Sequence, residues 1–111
     1  LNLISIFDEN KDYKALELAQ YQFDKIEELE KDKPYFIINV LQLKKRRESL
    51  TEQDTQKLRE VAVTSDLQIS FGMNVLLEDN DKATQVFDKM DKETQEFIKK
   101  CPIYYLYETQ L

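Results

Sequence analysis

The chain has 111 residues and a net charge of −6, from 16 Lys and Arg against 22 Asp and Glu; at about 100–200 residues per domain this is one domain. One Gly and two Pro leave too little turn material for an all-β sandwich or barrel, six Phe and six Tyr argue against disorder, and the lack of any His removes the commonest metal ligand and general base. No apolar run approaches the roughly 20 residues of a membrane span, a single Cys points to a reducing compartment, and an acidic chain is a poor partner for nucleic acid or an anionic membrane.

Leu1 to Phe7 reads as a short helix or the end of a preceding element, punctuated by Asp8-Glu9-Asn10. From Lys11 to Glu30, residues Tyr13, Leu16, Ala19, Phe23, Ile26 and Leu29 recur at spacings of three and four, which is one face of an amphipathic helix. Asp32 is the expected cap of the next helix, with Pro34 in its first turn. Tyr35 to Leu43 is rich enough in β-branched and aromatic residues to read, in isolation, as a buried strand. No turn signal separates it from Lys44-Lys45-Arg46-Arg47-Glu48, however. The block from Pro34 to Glu48 is therefore predicted as one largely buried helix with a wet, basic end that suits the helix dipole.

Thr51-Glu52-Gln53-Asp54 resembles a capping box. Leu58, Ala62, Ser65, Ile69, Met73 and Leu76 follow at spacings of four and three. A break at Thr64-Ser65-Asp66 is favoured over one long helix reaching Leu77, with Ser65 and Gln68 as a second box. Glu78-Asp79-Asn80-Asp81 is a polar turn. Ala83, Val86, Phe87 and Met90 form the apolar face of a short helix, and Asp91 caps the next, whose apolar residues are Phe97, Ile98 and Cys101. Pro102 ends it. Ile103 to Tyr107 is either a short helix begun at Pro102 or an extended tail. The predicted fold is all-α, with five to seven helices arranged as antiparallel hairpins where the loops are short.

Gly72, the polar turn at Glu78 to Asp81, then Lys82-Ala83 and Phe87 resemble the middle of a tetratricopeptide repeat. Tyr13-Lys14-Ala15 with Ala19 is similar to the second helix of such a repeat. The resemblance implies stacked helical hairpins in which small residues let two helices approach closely. Another helix-hairpin array or a plain bundle is the alternative.

Catalysis finds little material. Without His, neither a Ser/His/Asp nor a Cys/His arrangement can be built within the chain. Cys101 is expected at a helix C-terminus, where the dipole disfavours a thiolate, and reads as a small hydrophobe. Asp79 and Asp81 lack the glycine and distal Glu of a calcium loop, and the lone Gly72 cannot make a phosphate cradle. No metal and no cofactor is expected.

Two segments are candidate contacts. Lys44, Lys45, Arg46 and Arg47 could contact a nucleic-acid backbone or an acidic partner, or simply compensate the helix dipole in solvent. Tyr104, Tyr105 and Tyr107, with Ile103 and Leu106, either fold back over the last hairpin or present a partner-binding surface. The expected function is non-catalytic: a helical protein- or peptide-interaction or self-association domain, in the cytoplasm. A first residue other than Met is what a fragment of a longer protein would show. The alternative is the sensory or dimerisation domain of a bacterial regulator whose DNA-binding part lies outside these residues. Direct nucleic-acid or membrane contact is not expected.

Overall fold

The computed structural model describes residues 3–26, 28, 31–61 and 66–111. Among these residues every regular element is an α-helix: α1 (Leu3–Asn10), α2 (Tyr13–Asp24), α3 (Pro34–Arg47), α4 (Glu52–Val61), α5 (Leu67–Leu76), α6 (Asn80–Asp88), α7 (Lys92–Ile98) and α8 (Pro102–Gln110). The all-α expectation holds, and five to seven helices becomes eight. Leu3–Asn10 and Pro102–Gln110 are both helices, and Glu52–Val61 and Leu67–Leu76 are separate ones. The helices group into two compact units, Leu1–Leu50 carrying α1 to α3 and Thr51–Leu111 carrying α4 to α8.

In the first unit, α1 runs through Asp8-Glu9-Asn10 rather than stopping there. It ends at Lys11, whose positive φ of 53° turns the chain, and Asp12 then caps α2 by accepting the Lys14 backbone N–H at 3.0 Å. This two-residue turn folds α2 against α1. Ile4 and Phe7 pack with Ala15, Leu16 and Ala19 from α2 and Leu43 from α3. The buried stripe on α2 is thus shifted from the predicted one. Tyr13 is 65% exposed, although its ring still meets the Phe7 ring edge-on at 5.0 Å, and Ile26 lies beyond the helix, which ends at Asp24 rather than near Glu30. Leu29 and Glu30 lie outside the described residues.

The apolar run of α3 is a helix, as predicted, because Pro34 supplies a pre-set φ at N1 and nothing interrupts the backbone ladder up to Arg47. Lys33, not Asp32, occupies the N-cap, and its side chain makes no capping bond. Phe36, Ile37, Ile38, Leu41, Gln42 and Leu43 are buried, and the Phe36 ring meets Phe23 of α2 edge-on at 5.8 Å.

In the second unit the capping box at Thr51 forms in both directions. The Asp54 carboxylate accepts the Thr51 N–H at 2.9 Å, and the Thr51 hydroxyl accepts the Asp54 N–H at 3.1 Å. α5 starts after Asp66, which is extended and whose carboxylate accepts the Ile69 N–H as the N-cap; Thr64 and Ser65 of the predicted break lie outside the described residues. Ala62 and Ser65 of the predicted stripe lie outside the described residues. From Ser70 to Leu76, α5 is buried on every side, since α4, α6 and α8 all pack on it. Leu58 of α4 is fully buried.

The turn between α5 and α6 closes through a Schellman motif. The Asp79 N–H reaches the Asn74 carbonyl and the Glu78 N–H reaches that of Val75. Glu78 takes the left-handed position, with φ of 61°, where glycine is usual. Asp79 then caps α6, so that helix starts one residue on, inside the predicted polar turn. Gly72 and Ala83, the small residues of the repeat resemblance, are both buried in this helix pair. Asp91 caps α7 as predicted, accepting the Thr94 N–H at 2.7 Å. Pro102 does not merely end α7; it opens α8 at N1.

Candidate functional site

The four consecutive cations Lys44 to Arg47 cannot share a face, because each helical step turns the side chain by about 100°. The structure sorts them into separate roles. Arg46 turns inward, where its Nε and Nη2 donate to the two carboxylate oxygens of Asp8, each at 2.7 Å. Its Nη1 donates to the Gln42 carbonyl at 3.0 Å. The two side chains of this bidentate pair are only 4% and 6% accessible. The predicted wet, basic end of α3 is therefore corrected at Arg46, which is a buried strut joining α3 to α1.

Asp8 could have been found. With Ile4 and Phe7 it completes a three/four stripe on α1, so an acid at that position had to face the packed side and find a cation. The side-chain carbonyl of Gln42, one turn before Arg46, is buried without a hydrogen-bond partner.

Lys44 and Arg47 project the other way. With Val40 one turn earlier and Glu48 just beyond, they line a cleft of about 370 Å³ whose opposite wall is Gln20 of α2. Gln20 is itself oriented by a hydrogen bond from its amide to Asp24 at 2.8 Å. The cleft exists because Ala19 and Leu43, the neighbours of Gln20 and Lys44, are held in one core cluster. Lys45 is half-buried and lies outside the cleft wall. Neither Gln20 nor Val40 carried a sequence signal for this role, since the cleft depends on how two helices meet.

The charge is also segregated. Residues 1–50 carry nine bases and ten acids, whereas residues 51–111 carry seven bases and twelve acids. The excess acid belongs almost wholly to the second unit.

The tyrosines of α8 divide in the same manner as the cations. Tyr107 is buried, hydrogen-bonded through its hydroxyl to Thr84, and packed edge-on against Phe71 at 5.2 Å. Tyr104 is half-buried between the rings of Phe71 and Phe87. Tyr105 is 40% exposed. Of the two readings of this segment, α8 follows the one in which it folds back, onto α5 and α6. Gln110 fastens its end, donating to the Val75 carbonyl and to the Asn80 side chain. Phe71, at the centre of the cluster, was absent from the predicted stripe on α5. Phe97, predicted to be apolar core on α7, is instead 58% exposed, while Ile98 is buried.

Cys101 is half-buried at the N-cap of α8, and its thiol donates to the Phe97 carbonyl at 3.4 Å. Burial pushes its pKa up, away from the reactive thiolate. Among the described residues no group of three or more His, Cys, Asp or Glu side chains is placed to hold a metal ion, and no helix is long and apolar enough to cross a membrane. Compared with protein-family models, curated proteins and solved structures, the chain matches none.

Proposed function

We propose that this chain is a non-catalytic helical interaction domain that binds a protein or peptide segment, within a larger intracellular protein. The observation that supports this reading is the cleft between α2 and α3. It offers an apolar wall at Val40, an amide at Gln20 and two long cations at Lys44 and Arg47. Concave surfaces of this mixed character hold extended or helical segments by contact area, with a few polar groups setting orientation. Its walls are rigid because the core cluster and the Asp8–Arg46 pair fix the last turns of α3, and a site that is already formed loses less entropy on binding.

A photo-crosslinking residue placed at Val40 tests this in cells that make the protein, with one at exposed Glu93 as the control. The interaction reading expects one reproducible crosslinked protein from the Val40 position, lost when Arg47 is changed to Glu. Crosslinking that is absent, or equal at both positions, would remove it.

A further inference from the structure

We infer that Ser49 is an acceptor site for a protein kinase that selects arginine ahead of the serine, and that the fold meters its use by holding one of those arginines inside. Arg46-Arg47-Glu48-Ser49-Leu50 sets guanidinium groups three and two residues before a hydroxyl, with an apolar residue straight after it. A kinase cleft that offers carboxylates to both guanidiniums, and an apolar pocket beyond the hydroxyl, reads this pattern through charged hydrogen bonds.

The hydroxyl stands where a kinase can reach it. α3 ends at Arg47, Glu48 is extended with φ of −155° and ψ of −166°, and Ser49 lies outside any helix. Arg47, Glu48 and Ser49 are all exposed. Thr51, the next hydroxyl along the chain, is instead engaged at the start of α4, where it accepts the Asp54 N–H. In the transfer, Ser49 Oγ attacks the γ-phosphorus of ATP, the bond from that phosphorus to ADP breaks, and the hydroxyl proton passes to the kinase's catalytic carboxylate.

Arg46 is the part the fold withholds. Both carboxylate oxygens of Asp8 and the Gln42 carbonyl accept from its guanidinium, and the Asp8–Arg46 side chains are almost fully buried. A kinase can take this arginine only when the last turn of α3 opens. A state that must open first reacts in proportion to its open fraction. Ser49 is therefore modified slowly in the intact chain, and faster whenever the Asp8–Arg46 pair is weakened.

The test uses the full chain, ATP and the catalytic subunit of cyclic-AMP-dependent protein kinase, with the phosphate located by mass spectrometry. One phosphate at Ser49 is expected, and none in Ser49→Ala. Arg47→Ala should slow the reaction about tenfold, as loss of a charged hydrogen bond implies. A peptide of residues 43–52 should react about tenfold faster than the full chain, or more. Asp8→Asn should bring the full chain toward the peptide's rate. Adding Arg46→Ala to Asp8→Asn should cancel that gain, because the released arginine is what the kinase reads. Circular dichroism of each variant checks that the helices are retained; if Asp8→Asn does not fold, the ratio of peptide to chain and the Arg47→Ala rate decide.

No phosphate at Ser49 in the full chain, phosphate on Thr51 instead, or indifference to Arg47→Ala would overturn the acceptor assignment. Equal rates for peptide and full chain, or an Asp8→Asn gain that survives removal of Arg46, would overturn the metering by the fold.

Discussion

Changing Arg46 to Ala is expected to destabilise the first unit far more than loss of a surface charge would. The guanidinium meets Asp8 through two 2.7 Å hydrogen bonds, with both side chains almost fully removed from water. Two unit charges about 4 Å apart attract by about 4 kcal/mol at the effective dielectric constant of a protein. Desolvation of each ion opposes this by a comparable amount, so the net worth of the intact pair is small. Breaking it is different. Arg46→Ala strands a buried carboxylate, at a cost of about 3–5 kcal/mol, a large share of the roughly 5–15 kcal/mol that stabilises a whole domain.

Replacing both partners, as Asp8→Leu with Arg46→Met, should return the loss and match or exceed the parent. Amide hydrogen exchange resolved to α1, α2 and α3 reads the first unit separately from the second. The single variant should lose protection throughout these helices, with little effect of added salt, while the double variant regains it. An Arg46→Ala cost below about 0.5 kcal/mol, the scale of an exposed pair, would refute the assignment of a buried strut. So would a double variant as unstable as the single one.

Gln42→Leu removes a buried carbonyl that has no partner and should stabilise the protein by about 1 kcal/mol, at the lower end of the cost of such a group; a urea melt that moves to lower midpoint would contradict this. Glu78→Gly relieves a left-handed residue at the end of α5, and the steric gain less the backbone entropy of glycine leaves about 0.5–1 kcal/mol of stabilisation. Glu78→Val should move the thermal midpoint the opposite way. Asp91 accepts the Thr94 backbone and side-chain hydrogen bonds, which hold its carboxyl below the usual carboxylate range. Its folded pKa therefore lies below the unfolded one, so its contribution is complete above the unfolded value and is lost as pH falls through the folded value. Asp91→Asn, measured by thermal melts from neutral to acid pH, should flatten that part of the acid limb, and an unchanged limb would count against the cap.

Much of the local structure was legible because it depends on short-range chemistry. Thr51 with Asp54, Asp91 before Lys92, and the unbroken block after Pro34 each act within a turn or two of the backbone, and each formed where the sequence placed it. The β-branched run from Tyr35 to Leu43 was resolved in favour of a helix by the lack of any turn signal before Lys44. Helix ends were harder to read, because they depend on single dihedrals. Lys11 and Glu78 adopt left-handed φ without being glycine, and no composition rule marks them.

The candidate site was legible only as residue types. Sequence placed four bases on one helix end and three tyrosines near the C-terminus, and in both cases neighbours along the chain proved to have different surroundings. Arg46 is buried against an acid 38 positions earlier, while Arg47 lines a cleft with a glutamine from another helix. Tyr107 is sealed against Phe71 and Thr84, while Tyr105, two residues before, faces solvent. Local sequence determines which helices form and where the charge is stored. Which side of each helix meets water is decided by packing, because a 100° step per residue separates adjacent side chains and only the position of the neighbouring helices says which of them is covered.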